Sequence, residues 1–457
     1  MLDSYRTLIL PDVQLMLLEG DRDGLAAFCG VVHPVVIAEI CEELEDDQVW
    51  QVLDNAELSV KIEIFEHISL RRQEMLVESL ELPKLTELLE HMSSDDRVDL
   101  MSRMSPDRCE SVMRLLASSE RNEIRKLLSY DESSAGSIMT TEYASLPANI
   151  TVREAIDKLR QQAPNSETIY YVFILDDHRR LEGLISLREL ILARPDIHLA
   201  DIMERDVVRM RVTDEREAVA RTLARYNFLA VPIVDADDRL VGIVTHDDAI
   251  DVVEEEATED AYLQGAVQPL DDSYEDTPLL TILWKRGIWL VFLSVMALTN
   301  AKVLDYYSHS YDRFTTLVLM FLPLVMGSGG NAGSQSATLF IRMIALQGTS
   351  RSGRSLLAEN RSVIAREFMV ALSLGTALAV LDFVVARVFF DRSQSESIAI
   401  AFTVVTVVVL GTSFGALLPL LLSRLGMDPA IMSNPLIASI LDVLAVTTFF
   451  QIAVLLL

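Results

Sequence analysis

The sequence is poor in cysteine. Its 457 residues include only Cys29, Cys41 and Cys109, whose wide spacing fits neither a zinc site nor a disulfide framework. This use of cysteine suits a reducing compartment and thiols that pack between helices. The N-terminus also lacks a basic start with an adjoining apolar core, and we therefore expect no signal peptide.

Two further absences exclude classes of function. The chain has no nucleophile–base set, no phosphate-cradling P-loop and no Cys/His zinc spacing, so we do not expect an enzyme. Positive charge is scarce before residue 277. The formal net charge is −29, whereas residues 277–457 hold 12 Lys and Arg against 9 Asp and Glu. The acidic first part is a poor partner for nucleic acid or anionic lipid but attracts divalent cations, which prefer oxygen ligands. The alternative is that these acidic residues only keep a soluble domain solvated and bind no cation.

Residues 1–130 are expected to form an α-solenoid. From about residue 47, one apolar position recurs every twelve residues, and a second recurs four residues later. Apolar pairs at i and i+4 indicate one helical face, and the Ser, Pro and acidic residues between them indicate helix starts. Stacked short helices bury a continuous core. The first recurring position is occupied by Val52, Ile64, Leu76, Leu88, Leu100, Val112 and Ile124.

Residues 131–257 contain two copies of one α/β pattern. Each copy has Ile-Met, a helix, an apolar strand, an acidic turn, a Gly followed by two apolar residues and Ser or Thr, and a closing helix. In the first copy the strand is predicted at Thr168–Leu175 and the closing helix at Leu187–Ala193. This duplication resembles a tandem pair of CBS domains, which packs into one disc and often binds adenine nucleotides.

The resemblance to CBS domains implies a candidate site for ATP. The family's pattern matches best in the second copy, and the first copy departs from it by having Glu189 at the acidic place. Many such pairs are purely structural, which is the alternative. The candidate nucleotide-binding residues are Tyr170, Arg188, Gly242, Thr245 and Asp248.

Residues 258–286 are expected to connect the soluble part to the membrane part. The stretch from Asp251 to Asp260 is a block of like charge, which repels itself unless it is solvated or neutralised. From Thr277, an amphipathic helix is expected to lead into the bilayer. An ordinary solvated linker is the alternative.

Residues 287–457 contain five apolar runs that are long enough to cross a bilayer, which takes about 20 helical residues. The loop after the second run is rich in arginine and includes Arg351 and Arg354, so the positive-inside rule puts it in the cytoplasm. The soluble part is then cytoplasmic and Leu457 lies outside. The predicted spans are 287–304, 315–345, 364–390, 398–424 and 434–457.

The last apolar run contains Asp442. A carboxylate at membrane depth costs about 2.5–3.5 kcal/mol and normally faces a bundle interior or a water-filled path. At helical spacing Asp442 shares a face with small residues such as Ala438, so another backbone or a hydrated ion could approach. A cation site in a pore is the favoured interpretation, and a protonated or hydrogen-bonded structural aspartate is the alternative.

Three other features of the membrane part bear on this interpretation. The second run is interrupted by GSGGNAGSQSAT at 327–338, and glycine-weakened backbone could expose carbonyls to an ion; close helix packing is the alternative. Asp428, just before the last run, is placed to cap its helix or to gather cations. Asp382 has bulky apolar neighbours, so we expect it to be structural or near the outer interface.

The phrases GGNAGSQSATL at 329–339 and DPAIMSNPLIASILD at 428–442, together with the domain order, resemble the MgtE family of magnesium channels over essentially the whole chain. That family is a homodimer in the bacterial inner membrane, with a pore between the second and fifth spans. The resemblance implies that Asp442 of each subunit holds a hydrated Mg²⁺ and that Asp428 belongs to the cytoplasmic pore end. The implied pore-lining residues are Gly329, Gly330, Asn331 and Ala438.

The resemblance also implies a cytosolic sensor, in which bound Mg²⁺ screens carboxylates and the pore closes. Two positions depart from the family: Asn227, where an acid is frequent, and the Val-Leu-Ala after Asp442, where Thr-Gly is common. The residues at matching sensor positions are Glu63, Asp95, Asp99, Glu215, Glu217, Asp248, Asp251, Glu256, Glu259 and Asp260.

The predicted protein is a multidomain membrane protein with an N-terminal α-solenoid, an α/β tandem CBS pair, a connector or plug helix and a five-helix all-α transmembrane domain. Its predicted function is Mg²⁺ import that cytosolic Mg²⁺ shuts off. A transporter of another divalent ion such as Co²⁺, a proton-coupled carrier that uses Asp442, and a membrane-anchored metal or nucleotide sensor without transport are the alternatives.

Overall fold

The computed structural model describes residues 2–163, 166–270, 273–275, 277–347, 361–425, 427–431 and 434–457. These residues form two compact units, Met1–Val253 and Glu254–Leu457. Arg351 and Arg354, on which the predicted membrane topology depends, lie outside the described residues.

The twelve-residue period of the sequence appears directly in the helices of the first unit. Helices α4 to α10 begin at residues 46, 58, 70, 82, 94, 106 and 118, one every twelve residues, which confirms the repeat. Three further helices precede them. The bounds are α1 Leu2–Glu19, α2 Arg22–Val31, α3 Pro34–Cys41, α4 Asp46–Leu53, α5 Leu58–Glu66, α6 Leu70–Glu78, α7 Leu82–His91, α8 Ser94–Arg103, α9 Pro106–Leu115 and α10 Ser118–Leu127.

The first recurring apolar position forms the core of the solenoid, since all seven of its residues are buried. The second position differs from the expectation. Met92, Met104 and Leu116 are buried but lie in extended backbone after α7, α8 and α9, not on the same helical face. Ten of the twelve residues in each of these repeats are helical, so the position four residues later falls in the turn.

Several solenoid helices pack on the helix two places along the chain, such as α3 on α5 and α7 on α9. This stacking buries polar backbone at the turns as well as apolar side chains. Gln73, which is 1% exposed, donates hydrogen bonds from Nε2 to the carbonyl oxygens of Phe65 (3.0 Å) and Ile68 (2.8 Å). The buried turn is thereby satisfied, as buried polar groups require.

The two α/β modules have the same topology, which confirms the duplication. In each three-stranded sheet the first strand is parallel to the second, and the second is antiparallel to the third. The first module contains β1 Tyr143–Pro147, α11 Val152–Gln162, β2 Thr168–Leu175, β3 Leu181–Ser186, α12 Leu187–Leu192 and α13 Leu199–Ile202. The second contains β4 Met210–Arg211, α14 Arg216–Tyr226, β5 Ala230–Val234, β6 Leu240–Thr245 and α15 His246–Gln264.

The Ile-Met segments tie the modules together by crossing between them. Thr140, which precedes the first module, exchanges two 2.9 Å backbone hydrogen bonds with Ile243 of the second module. Leu184 of the first module exchanges two 2.9 Å bonds with Glu204, at the entry to the second. The glycine of each copy makes room for this crossing, because a Cβ at Gly242 would lie 2.7 Å from the Thr140 carbonyl oxygen.

Five helices in the described part of the second unit are long and apolar enough to cross a membrane, in agreement with the predicted number. The first differs from the expectation. We predicted an amphipathic helix from Thr277 and a separate span from 287, but one helix covers both because Lys285 and Arg286 are good helix formers. The helices are α16 Leu279–Ser310, α17 Asp312–Gln347, α18 Arg361–Val388, α19 Gln394–Arg424 and α20 Asn434–Leu456.

The predicted interruption of the second span is wrong, because α17 runs unbroken through residues 327–338. Its glycines instead allow close contact with α19. A Cβ at Gly411 would lie 2.5 Å from the Gly329 carbonyl oxygen, and one at Gly415 would overlap the carbonyl oxygen of Gly333. Helices of membrane proteins commonly approach through small residues in this way. The alternative of close packing through small residues is therefore the correct one.

Candidate cation-binding sites

Carboxylates from several elements of the first unit gather where the solenoid packs against the α/β modules. The contact is made by Ser94 Oγ, which lies 3.1 Å from Thr140 Oγ1 and accepts a 2.8 Å hydrogen bond from the Thr141 N–H. Ser94 and Thr140 are both fully buried. The carboxylates around this contact, called the acidic cluster below, are Glu66, Asp95, Asp96, Glu167, Asp247 and Asp248.

Hydrogen bonds fix several of these side chains. Glu66, at the end of α5, accepts a 2.7 Å bond from the Ser93 N–H. Asp96 accepts a 2.9 Å bond from the Ser93 hydroxyl. Asp248 accepts a 2.5 Å bond from the Thr245 hydroxyl. Asp95 differs from the others, because its Oδ1 is buried and has no hydrogen-bond partner in the described structure.

Burial makes ionisation of the acidic cluster costly. Burial, followed by the negative charges of Asp248, Asp96 and Glu167, raises the pKa of Asp95 well above its ordinary value. Burial likewise raises the pKa of Glu66 to about 7 and that of Glu167 to about 7. The pKa of Asp248 rises to about 6 through burial, although its bond from Thr245 opposes the rise. The cluster is therefore stabilised by anything that neutralises its charge.

The geometry favours a hydrated ion over a bare one. Among the described residues, no three His, Cys, Asp or Glu side chains converge closely enough to hold a metal ion directly. Mg²⁺ gives up its water reluctantly and is usually held by one or two carboxylates plus waters. A loose group of carboxylates that binds through water is the arrangement that suits this ion.

The structure brings together only some of the predicted sensor residues. Asp95 and Asp248 lie in the acidic cluster, and Asp251, one turn further along α15, adds its charge near Asp96. The others of the first unit lie on or near the surface: Glu63, Asp99 and Glu215 are exposed, and Glu217 pairs with Arg221 at 2.6 Å. Glu256, Glu259 and Asp260 lie on the part of α15 that belongs to the second unit.

Sequence reasoning missed Glu66, Asp96, Glu167 and Asp247. Nothing in the twelve-residue repeat separates Glu66 from Glu63, three residues earlier on the same helix. Glu66 differs from Glu63 through its tertiary contacts, since it is half-buried, accepts a bond from Ser93 and lies near Glu167 of the first module. Asp247 had a local signal, since it adjoins Asp248 in the first turn of α15.

The candidate nucleotide residues have structural roles that do not depend on a nucleotide. Thr245 and Asp248 bond to each other at the start of α15, as Ser186 and Glu189 do at the start of α12. Such pairs cap helices. Tyr170 is 61% exposed and Arg188 is also exposed, so both are open to a ligand.

In the second unit, Asp442 lies half-buried in the middle of α20. One turn earlier, Ala438 lies against Gly330 of α17, where a glycine Cβ would be only 3.7 Å from the alanine Cβ. Asn331 is exposed beside this contact, whereas Gly329 faces α19. The helix that carries the carboxylate thus packs closely on the glycine-rich helix α17.

The two other acids of the membrane part are placed differently. Asp428 is exposed and accepts a 2.8 Å bond from the Ala430 N–H, so it caps the short 3₁₀ turn Pro429–Ile431 and not α20 itself. Asp382 on α18 is 5% exposed, and its Oδ2 has no hydrogen-bond partner in the described residues.

Comparison with known families covers most of the chain. Residues 32–133 match the MgtE intracellular N domain, residues 135–196 and 199–255 match the CBS domain, and residues 322–452 match the MgtE family of divalent cation transporters.

Curated relatives extend over the same regions. The chain is 39% identical to the magnesium transporter MgtE of Thermus thermophilus over 334 residues, which is 73% of this chain and 72% of the relative. It is 35% identical to the MgtE of Enterococcus faecalis, over 72% and 70% of the two chains, and 33% identical to that of Bacillus subtilis, over 72% and 71%.

Two solved structures resemble the soluble part. One is the soluble part of a magnesium transporter (33% identity, TM-score 0.53, covering 55% of this chain and 99% of that one). The other is the cytosolic domain of the Mg²⁺ channel MgtE in complex with ATP (36% identity, TM-score 0.51, covering 53% and 99%). Together with the family matches and the five membrane helices, these similarities show that the chain belongs to the MgtE family of magnesium transporters.

Proposed function

We propose that the chain carries Mg²⁺ across the bacterial inner membrane as a homodimer, and that Asp442 of each subunit holds the hydrated ion in a two-fold pore. The observation that supports this most is a half-buried carboxylate in an otherwise apolar helix, beside the close contact of Ala438 with Gly330. An unpaired carboxylate at this depth is costly unless water or a cation accompanies it. Gly329, Gly330, Asn331 and Asp428 belong to the same proposed path.

We further propose that the acidic cluster senses cytosolic Mg²⁺. Neighbouring carboxylates with raised pKa values repel one another when they ionise, and a hydrated cation between them removes that repulsion. Cation binding therefore holds the solenoid against the CBS pair, and this is the state that closes the pore. The acids of α15, the exposed Glu63, Asp99 and Glu215, and the half-buried Glu217 contribute long-range attraction.

The proposed orientation has the soluble unit in the cytoplasm and the C-terminus in the periplasm. Lys285 and Arg286, at the start of the first membrane helix, support it through the positive-inside rule. ATP is the proposed ligand of the CBS pair, since the similar MgtE cytosolic domain was solved with it. Tyr170→Ala should weaken ATP binding, measured by calorimetry, without loss of fold, because Tyr170 is largely exposed.

Flux into proteoliposomes tests the transport proposal. The full chain is reconstituted, and Mg²⁺ uptake is followed with a trapped fluorescent indicator while the Mg²⁺ concentration on the cytosolic face is varied. We expect uptake that falls as this concentration rises. Uptake that is absent, or that favours Co²⁺ under the same conditions, contradicts the proposal. Uptake that ignores cytosolic Mg²⁺ contradicts the sensor alone.

A further inference from the structure

A second polar site lies in the membrane unit, away from Asp442. It is a groove with a volume of about 740 Å³ between α17, α18 and α19. It follows α17 from Pro323 to Leu339, which is about 24 Å at the helical rise of 1.5 Å per residue. Among the residues that the structure describes, none of those that line the groove belongs to α20.

The lining of the groove is unusually polar for membrane depth. Asn331 and Gln335 lie one turn apart on α17 and both are exposed. Glu367 of α18 also lines the groove and is the charged residue among the described lining residues. Ser336 forms part of the same wall, and it is only 1% exposed although its Oγ has no hydrogen-bond partner in the described structure.

Lipid alone is a poor occupant for this surface. A carboxylate or a carboxamide within the bilayer is costly unless it faces water or a partner group. A buried hydroxyl without a partner carries a similar cost, of about 1–3 kcal/mol. These four side chains line one groove together with Ser328 and Thr412, and apolar residues such as Leu374 and Leu378 form most of the remaining wall.

The chemistry of the groove matches a hydrated divalent cation. One carboxylate is too few to replace the water around Mg²⁺, but amide and hydroxyl oxygens can accept hydrogen bonds from that water. Six waters of about 30 Å³ each occupy about 180 Å³, so the groove holds a fully hydrated ion with room to spare.

We propose that this groove is a second station for a hydrated divalent cation, held through water by Glu367, Asn331 and Gln335. Asn331 belongs both to the groove and to the path proposed above, so the station lies beside that path. The inference that the groove binds a cation does not depend on transport. The inference that this cation is the transported one rests on the proposed function. Glu367 supplies the charge that concentrates the ion there.

Crystals of the full chain grown with Mn²⁺ test the binding, because anomalous scattering locates that ion. We expect a peak about 4–5 Å from the Glu367 carboxylate, the distance of an outer-sphere contact through one water. The peak should disappear in Glu367→Gln and weaken in Gln335→Leu. It should persist in Asp391→Asn, which removes a charge beyond the other end of α18 and outside the groove.

Uptake by the same variants gives a second readout. Glu367→Gln should raise the half-saturating Mg²⁺ concentration about threefold to tenfold, while Asp391→Asn leaves it within twofold of the unsubstituted chain. A groove filled by an acyl chain or by a helix of a second copy, with no Mn²⁺ peak, overturns the inference even if Asp442 conducts. A groove peak in a chain that does not transport leaves the binding site standing and defeats the proposed function.

Discussion

The two acidic regions of the molecule handle the cost of a buried carboxylate in opposite ways. In the acidic cluster, six carboxylates lie near one another, and burial raises several of their pKa values toward neutrality. In α20, Asp442 is a single carboxylate in an apolar helix. The acidic cluster can bind protons or cations in several steps, whereas α20 contributes one carboxylate from each chain.

This difference predicts graded effects for substitutions in the acidic cluster and a strict requirement for Asp442. Removing one carboxylate from the acidic cluster relieves repulsion and leaves the others to bind, so its effect should be partial. Removing the lone carboxylate of α20 leaves nothing to hold an ion at that depth. Substitutions in the two regions should therefore change different measured quantities, and by different amounts.

The largest expected effect belongs to Asp442. We expect Asp442→Asn to reduce Mg²⁺ flux into proteoliposomes at least about tenfold, because an amide cannot hold the ion by charge. Asp382→Asn is the matched control: it makes the same change in a membrane acid that is buried against its neighbours, and flux should stay within twofold. An equal loss of flux in both variants would contradict the assignment of Asp442 to the pore and of Asp382 to a structural role.

The next effect concerns Asp95. In the absence of divalent cations at pH 8, Asp95→Asn should raise the free energy of unfolding of residues 1–264 by about 1–2 kcal/mol, because it removes one buried charge from a group of like charges. It should also reduce the stabilisation that Mg²⁺ provides. Urea denaturation followed by Trp50 fluorescence measures both. A destabilised variant would contradict the proposed repulsion.

Residues 1–264 are suitable for this measurement for two reasons. The soluble part of a similar transporter was crystallised by itself. Trp50 is the one tryptophan of this segment, and its ring stacks on Phe65, which adjoins Glu66, at a centroid distance of 6.0 Å. Its emission therefore reports on the end of α5 at the acidic cluster.

A pH dependence follows from the raised pKa values. Glu66 and Glu167 have folded-state pKa values of about 7, above their unfolded values, so the folded state binds more protons between about pH 4.5 and 7. The free energy of unfolding should fall as pH rises through this window, by about 2–3 kcal/mol, and level off above it. Urea denaturation with EDTA from pH 5 to 8 measures the fall. Saturating Mg²⁺ should reduce it, and a stability that rises with pH would contradict the assignment.

The smallest effect should come from Glu63. It is exposed on α5, three residues from Glu66, so Glu63→Gln should change the free energy of unfolding by less than about 0.5 kcal/mol and barely alter its pH dependence. Glu66→Gln, in contrast, should flatten the pH profile. A comparable change in both variants would show that position on the helix, and not burial, controls the response.

The regular parts of the fold could be predicted because they depend on local spacing. The repeat that begins at Val52 and the strand at Thr168–Leu175 both follow from the pattern of apolar residues, and the structure has them where they were predicted. The second recurring apolar position was misplaced onto a helical face, since apolar spacing alone does not show where a ten-residue helix gives way to a turn.

The candidate sites were harder to predict because they depend on contacts between distant segments. Glu66 and Glu63 are indistinguishable in the sequence, and only the tertiary contacts of Glu66 with Ser93 and Glu167 separate them. The glycines of α17 looked like a break in the helix because their partner, the α19 backbone at Gly411 and Gly415, is about 80 residues away in the sequence. Asp442 was evident locally, since an acid in an apolar run needs no partner to be noticed.

The contact of α17 with α19 also sets the spacing of the membrane helices. The two backbones meet at Gly411 and Gly415 with no space for even one methyl group. A side chain at either position would force the two helices apart. Because α17 also carries Gly330, which lies against Ala438 of α20, such a change would be passed on to the helix that carries Asp442.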